Sequence, residues 1–386
     1  MQTSKRRFLT ALAALPVAVL ATPGTARTVA PASKPRVAGT AADQESPDVA
    51  GIAGARFPAD RSDAFRAALG TAPILADLPW LALSTGGDNG AFGAGLLTGW
   101  TEAGTRPRFG VVTGVSTGAL IAPFAFLGPR WDTPLREAYT TITAADVFEI
   151  GSTETSLLDT WPLAKLVARY VTPDLLAAVA AEHATGRRLF VLTTNLDTGR
   201  PVAWNLGAIA ARADGAALAL FRQVLLASGS IPGLFPPVPI AVSANGRVVQ
   251  ELHADGGITA PFYVAPESLL AGEAASLPAR EICVIVNNRL APEFLTTERT
   301  LMSVLGNALS AAVKAGTRAA LQIHAGFARE RGILLREATI DAGFKAPSSA
   351  PFDPGTMRAL FAHAHRRAQA GATFDAKPMA RLAENP

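Results

Sequence analysis

Two glycine-rich stretches about thirty residues apart constrain the fold of this chain more than any other feature. The first, at residues 84–95, follows the apolar run 80–83, and the second, at 114–118, follows the apolar run 109–113. Apolar segments with helical spacing come after both stretches. A strand-helix-strand-helix order implies a parallel sheet covered by helices. We therefore predict a three-layer α/β/α fold with a mainly parallel central sheet.

The second stretch, Gly114-Val115-Ser116-Thr117-Gly118, has the G-x-S-x-G pattern of a nucleophile elbow. In such an elbow the glycines let a strand turn sharply into a helix, which exposes the serine hydroxyl. The first stretch offers backbone N–H groups without side-chain bulk. Donors of this kind stabilise the negative oxygen that forms when an ester carbonyl is attacked. Together the two stretches indicate an acyl hydrolase.

Other interpretations of these stretches are open. G-x-S-x-G can be a plain strand-to-helix turn with a capping serine, and a glycine loop before a helix can hold a phosphate. The loop at 84–95 lacks the G-K-[ST] ending of a P-loop and the G-x-G-x-x-G spacing of a dinucleotide fold. Phosphate binding is therefore the least favoured interpretation.

A serine nucleophile needs a base within hydrogen-bond reach, and the sequence offers Asp255, His253 and His324. Asp255 begins an Asp-Gly-Gly turn whose glycines leave the carboxylate open to a partner, although this tripeptide is also a common turn. The chain order of Ser116, an acid and His324 permits an α/β-hydrolase triad. Helical periodicity explains His324 equally well. His253 would share a strand face with Asp255, where a structural role is favoured.

Four blocks of the sequence, in order, resemble the patatin-like phospholipase family. They are the glycine loop at 84–95, the elbow at 114–118, the segment Ala-Ser-Gly-Ser-Ile-Pro-Gly-Leu-Phe-Pro-Pro-Val at 227–238 and the Asp-Gly-Gly at 255–257. The resemblance covers residues 80–371. It implies a carboxylic ester hydrolase that cleaves fatty-acyl esters of phospholipids, lysophospholipids or neutral lipids.

The resemblance also implies the roles of the site residues. Ser116 would be the nucleophile and Asp255 its base, in a Ser-Asp dyad that works through an acyl-serine intermediate. The oxyanion hole would use the backbone N–H groups of Gly86, Gly87 and Asp88. The supporting motif residues would be Asn89, Gly90, Gly114, Gly118, Gly256 and Gly257.

The chain departs from the family pattern at two positions of the glycine loop. Members often carry Arg or Lys where this chain has Asn89, and Thr85 replaces the first glycine of the usual triplet. Loss of the cation removes a contributor to the electrostatics of the oxyanion hole or to the binding of anionic head groups. A non-catalytic lipid- or envelope-binding protein with the same fold is therefore kept as a second hypothesis.

The ends of the chain differ in composition from the domain between them. Residues 1–27 combine basic residues with a short apolar run, which indicates a signal peptide and resembles the twin-arginine pattern. We therefore expect a periplasmic or secreted protein that is not integral to a membrane. The remaining divisions are a linker or N-terminal extension at 28–77, a patatin-like catalytic domain at 78–372 and a C-terminal tail at 373–386.

Charge and cysteine content exclude several classes of partner. The net charge of +4 falls to about +1 when a leader ending near Ala26 is removed, so no nucleic-acid partner is predicted. Five scattered histidines and the single Cys283, which lies in an apolar run, predict neither a zinc site nor a disulfide. We predict no cofactor. The expected partner is a lipid or acyl-ester substrate, with peripheral contact to a membrane.

Overall fold

The computed structural model describes residues 36–44, 48–49, 51–151, 153–272, 277–291, 294 and 296–376. The predicted signal peptide at 1–27 and residues 377–386 of the predicted tail lie outside these ranges. The described strands are β1 (Arg56–Pro58), β2 (Trp80–Leu83), β3 (Val111–Val115), β4 (Glu149–Ile150), β5 (Leu158–Asp159), β6 (Arg188–Asn195), β7 (Arg200–Asn205), β8 (Val238–Ala244), β9 (Arg247–Asp255), β10 (Glu281–Val286) and β11 (Leu334–Thr339).

The described α-helices begin in the segment before the glycine loop. They are α1 (Ser62–Leu69), α2 (Ile74–Asp77), α3 (Gly90–Glu102), α4 (Thr117–Leu127), α5 (Asp132–Thr140), α6 (Trp161–Tyr170), α7 (Pro173–Ala184), α8 (Leu206–Ala211), α9 (Gly215–Ser228), α10 (Glu267–Leu270), α11 (Leu301–Arg331) and α12 (Pro354–Gln369).

Nine of the described strands form one sheet, and β4 and β5 form a separate hairpin. Across the sheet the order is β1-β7-β6-β3-β2-β10-β11, and β9 also pairs with β6 and carries β8. The strands β6, β3, β2, β10 and β11 run parallel to one another, whereas β1, β7, β8 and β9 make antiparallel pairs. The predicted mainly parallel sheet is confirmed.

Strand β2 shows why helices cover both faces of this sheet. Its side chains alternate between the two faces. Leu81 and Leu83 belong to one hydrophobic core, which also contains buried residues of α3, α4 and α12, and Trp80 and Ala82 belong to a second, with residues of α1 and α11. All four residues are buried. A strand buried on both faces reads as a continuous apolar run, which is why the sequence predicted it.

Strand β3 begins and ends two residues later than the sequence predicts. It pairs with β2 from Val111 and with β6 as far as Val115. The first residue after this strand is Ser116, where α4 follows at once. The elbow therefore lies at the carboxyl edge of the parallel strands, where open α/β sheets place their ligands.

The described part of the N-terminal segment that the sequence assigns to a linker or extension is packed on the sheet, and its contacts begin at Val37, whose carbonyl accepts the Gln250 N–H. Strand β1 pairs antiparallel with β7, and Phe57 and Phe65 are buried. Arg56 donates to Glu251 of β9 over 2.5 Å, with side chains that are 5% and 0% exposed. The ion pair ties this segment to the strand that ends at Asp255.

The chain also stays packed beyond α12. The ring of Phe374 lies edge-on to Trp100, with ring centroids 5.1 Å apart. The carboxylate of Asp375 accepts hydrogen bonds from Arg367 and from the backbone N–H of Thr339. Residues 373–375 are therefore held against the domain. Among the described helices, none has the length and apolar character needed to cross a bilayer.

The Arg56–Glu251 pair gives a test of how strongly the N-terminal segment supports the fold. Arg56→Met leaves a buried carboxylate without its cation, and removing one partner of a buried pair costs about 3–5 kcal/mol. Arg61→Met is the matched control, because the Arg61–Asp63 pair is exposed and is expected to matter little. Urea denaturation of both variants measures the difference. Equal midpoints would contradict a supporting role for Arg56.

Candidate active site

The elbow at Ser116 is a strained turn held by close backbone contacts. Ser116 has φ 57° and ψ −123°, a conformation that costs energy for a residue with a side chain. A Cβ atom at Gly114 would lie 2.4 Å from the Gly118 carbonyl oxygen, and one at Gly118 would lie 2.3 Å from the Leu83 carbonyl oxygen. Both distances exclude a side chain. The two glycines of G-x-S-x-G are required for this geometry.

Ser116 and Asp255 meet where two strands succeed each other along one edge of β6. Strand β3 pairs with β6 as far as Val115 opposite Leu192, and β9 pairs with β6 from Asp255 opposite Thr193. The other edge of β6 is occupied by β7. Because β3 turns into α4 at Ser116, it frees the edge that β9 then takes.

Asp255 is hydrogen-bonded through both carboxylate oxygens. Ser116 Oγ donates to Oδ2 over 2.6 Å, and the N–H of Gly257 donates to Oδ1 over 2.7 Å. Burial raises the pKa of Asp255 from 3.8 to about 6, and the hydrogen bonds from Ser116 and Gly257 oppose the rise. A Cβ atom at Gly256 would lie 2.6 Å from the Leu192 carbonyl oxygen, so the turn passes directly over β6.

The segment at 227–238 holds Ser116 and Asp255 in place through hydrogen bonds, a role that the sequence did not predict. Ser228 Oγ accepts a hydrogen bond from the Ser116 N–H over 2.9 Å and donates to the Leu192 carbonyl over 2.6 Å. The N–H of Asp255 donates to the Ser230 carbonyl over 2.8 Å. The sequence signal for this role was the Ala-Ser-x-Ser block, which was identified only as part of the resemblance to patatin-like phospholipases.

The glycine loop is held against the end of β10 by an asparagine that the sequence analysis missed. Asn287 donates through Nδ2 to the Ser84 carbonyl over 2.9 Å, and its Oδ1 accepts from the Gly93 N–H over 3.0 Å. A Cβ atom at Gly86 would lie 2.1 Å from the Asn287 carbonyl oxygen. A polar residue directly after a buried parallel strand was the available signal.

The predicted loop residues fall into two groups. Gly87 and Asp88 line the same cavity as Ser116. Asn89 and Gly90 instead begin the helix: the Asn89 N–H bonds to the Gly86 carbonyl, and Gly90 packs close to Thr117 and Tyr139. The Asp-Gly-Gly turn lies beside the loop, since a Cβ at Gly257 would be 3.1 Å from Thr85 Oγ1.

A cavity of about 690 Å³ opens onto Ser116 and is lined almost entirely by apolar side chains. Asp88 is the one residue with an ionisable carboxylate among the described residues that line it. The apolar lining comes chiefly from α4, α5, α6, α9 and the segments between them: Leu120, Phe124, Ile142, Val147, Phe148, Leu163, Leu166, Val167, Leu225, Ile231, Leu234 and Phe235. A cavity of this size and polarity suits an extended apolar group.

The two histidines considered as bases have other partners. His324 is buried against Phe262, and its Nδ1 lies 2.7 Å from the Ala320 carbonyl oxygen. His253 lies between Thr193 Oγ1 and Glu251 Oε2, each 2.8 Å from a ring nitrogen, and burial lowers its pKa. Among the described residues, neither histidine is hydrogen-bonded to Ser116 or Asp255.

The hydrogen bonds around His253 fit one assignment of donors and acceptors. The indole N–H of Trp204 donates to Thr193 Oγ1, so the hydroxyl proton is free to point at His253 Nδ1. The other ring nitrogen then donates to Glu251, which also accepts from Arg56. His253 thus supports the strand that carries Asp255, as the favoured structural role predicted. In the described chain, no cluster of His, Cys, Asp or Glu side chains could hold a metal ion.

Comparison with known proteins finds a family match over the segment that carries the motifs. The family model for patatin-like phospholipases matches residues 81–266, which contain the glycine loop, Ser116 and Asp255. This segment of the chain is therefore similar to patatin-like phospholipases. The crystal structure of VipD from Legionella pneumophila is among the structures that match, with a TM-score of 0.40 and 13% sequence identity over 76% of this chain and 67% of that chain. A sequence search of curated proteins finds no match.

The raised pKa of Asp255 predicts that this residue destabilises the fold when it is ionised. Between about pH 4 and pH 6 the folded chain binds its proton more tightly than the unfolded chain, so stability falls as pH rises through this window. Each pKa unit is worth about 1.4 kcal/mol, so Asp255→Asn is expected to be more stable than the wild type by about 2–3 kcal/mol above pH 6.

Urea denaturation of Asp255→Asn and the wild type at about pH 7.5 and about pH 4 measures this gain, which should vanish at the lower pH. Asp63→Asn is the control. Its carboxylate has a pKa lowered to about 2, first by the hydrogen bond from Arg61, and no gain is expected. An Asp255→Asn variant that is no more stable at either pH would contradict the assigned pKa.

Proposed function

We propose that this protein is a serine lipid acyl hydrolase that cleaves carboxylic esters of phospholipids, lysophospholipids or neutral lipids. The observation that carries the proposal is the 2.6 Å hydrogen bond from Ser116 Oγ to Asp255 Oδ2 at an apolar cavity of about 690 Å³. The match of residues 81–266 to the family model for patatin-like phospholipases supports lipid acyl hydrolysis in general. The dyad and the lipid substrates are our inference.

In the proposed mechanism Ser116 Oγ attacks the ester carbonyl carbon while its proton passes to Asp255 Oδ2. The raised pKa of Asp255 makes it a stronger base than an ordinary aspartate. The oxyanion of the tetrahedral intermediate would accept hydrogen bonds from the backbone N–H groups of Gly86, Gly87 and Asp88. Asp255 then gives the proton to the leaving alcohol oxygen, which leaves an acyl-serine.

The second half of the cycle uses the same groups. A water molecule gives a proton to Asp255 as its oxygen attacks the acyl carbon, and collapse of the intermediate returns that proton to Ser116 Oγ. The fatty acid is released and the dyad is restored. The cavity excludes water from the acyl chain, and burial of apolar area contributes about 25 cal/mol per Å² to binding.

Loss of either dyad residue is expected to abolish ester hydrolysis. Ser116→Ala removes the nucleophile and Asp255→Asn removes the base, so kcat for a short-chain p-nitrophenyl ester should fall by at least about a thousandfold in each. A fluorophosphonate probe should label the wild type and spare Ser116→Ala. Ser62→Ala, which removes a buried hydroxyl that pairs with Ser268, is the matched control and should keep full activity.

Equal turnover by the wild type, Ser116→Ala and Asp255→Asn would refute the proposal. A folded wild type that takes no phosphonate label would instead favour the non-catalytic lipid-binding hypothesis, which rests on Asn89 and Thr85. We further propose that the chain acts outside the cytoplasm, from the pattern of residues 1–27 alone. Fractionation of cells that express the full chain tests this, and an exclusively cytoplasmic protein would contradict it.

A further inference from the structure

Phe352 has a backbone conformation that its surroundings must impose. It lies between β11 and α12 and has φ 53°. The other described non-glycine residues with positive φ are Ser116, Ala213 and Asn245. Asparagine tolerates this region, and Ser116 needs it for the elbow, whereas for a bulky side chain it is a clear outlier. Strain of this kind persists at ligand-contacting sites because neighbouring contacts hold it.

Two contacts hold Phe352 itself, and the helix cap that follows it holds the next residue. Its backbone N–H donates to Asp88 Oδ2 in the glycine loop over 2.9 Å. Its ring packs edge-on against Phe148, with ring centroids 6.1 Å apart. The ring centroids of Phe148 and Phe235 are also 6.1 Å apart. The next residue, Asp353, caps α12 by accepting the Thr356 N–H over 2.7 Å. The strained residue therefore joins the glycine loop to an aromatic row.

The hydrogen bond from the Phe352 N–H to Asp88 determines where the Phe352 ring enters the cavity. Phe352, Phe148, Asp88 and Ser116 all line it. Gly87 and Asp88 of the glycine loop line this cavity together with Ser116, so the hydrogen bond to Asp88 places Phe352 where the loop meets the cavity. Phe352 lies outside the residues that match the family model, so the family motifs do not supply this contact.

We propose that Phe352 is a specificity-determining residue whose ring, held by Asp88, narrows the cavity beside Ser116 and selects linear acyl groups over groups branched next to the carbonyl. This inference rests on the proposed acyl hydrolase function. The selectivity follows from shape, because an aromatic wall beside the reacting carbon leaves room for a single file of methylene groups and excludes an added methyl branch.

The test compares kcat/KM for p-nitrophenyl butanoate, which is linear, and p-nitrophenyl pivalate, which is branched. In Phe352→Ala and Phe352→Gly the ratio of branched to linear kcat/KM should rise by about ten- to a hundredfold, the range that small changes in apolar pockets produce. Asp88→Ala should shift the ratio in the same direction. Asp88→Asn keeps an oxygen that can accept the Phe352 N–H and should retain the wild-type ratio.

Stability measurements separate the ring from the backbone. Phe352→Gly should melt at a higher temperature than Phe352→Ala, because glycine adopts positive φ freely. Ala213→Gly relieves similar strain, φ 56°, at an exposed residue that does not line the cavity. It should melt above the wild type with an unchanged substrate ratio.

The outcomes distinguish this inference from the function on which it rests. A wild type that hydrolyses neither ester and takes no phosphonate label overturns both. A wild type that hydrolyses the linear ester, together with folded Phe352→Ala and Phe352→Gly variants that keep its ratio within twofold, overturns the role of Phe352 alone. A raised ratio in Ala213→Gly would also overturn it, since relief of strain rather than the ring would then be responsible.

Discussion

The hydrogen bond between Ser116 and Asp255 is the contact on which the rest of the candidate site depends, because it joins residues 139 positions apart in the chain. It forms at one place on the edge of β6, where β3 turns away and β9 takes over. For the two strands to succeed each other there, the backbone must pass at contact distance over Leu192 and Leu83. Glycine at positions 118 and 256 permits those contacts.

Strain and burial concentrate around this contact, as they commonly do at functional sites. Ser116 has a left-handed backbone, and Asp255 is a carboxylate whose burial raises its pKa to about 6. Neither feature stabilises the fold by itself. They persist because neighbouring side chains support them. Ser228 holds the elbow, and Arg56 and His253 hold the strand that ends at Asp255. The same reasoning led to Phe352, whose strained backbone is fixed by a residue of the glycine loop.

Sequence patterns were most informative where one physical requirement dominates a segment. The run that became β2 is buried on both faces, so it is uniformly apolar and was identified with the correct limits. The elbow and the Asp-Gly-Gly turn were identified because close backbone contacts leave few alternatives to glycine. Asn287 and Arg56 were missed, since their importance comes from partners about two hundred residues away in the chain. A single asparagine or arginine carries no local periodicity that could reveal such a partner.

By itself the sequence determined the α/β class, the resemblance to patatin-like phospholipases and the two residues proposed as the dyad, because local backbone chemistry and burial leave marks in composition and spacing. Only the tertiary structure decided that Ser116 Oγ and Asp255 Oδ2 are within hydrogen-bond distance while His324 binds elsewhere. It also decided that the Asp88 carboxylate, next to Asn89 in the glycine loop, accepts a hydrogen bond from the Phe352 N–H. Those outcomes depend on which strand ends and loops meet in space, and this is set by the packing of the whole sheet rather than by any one segment.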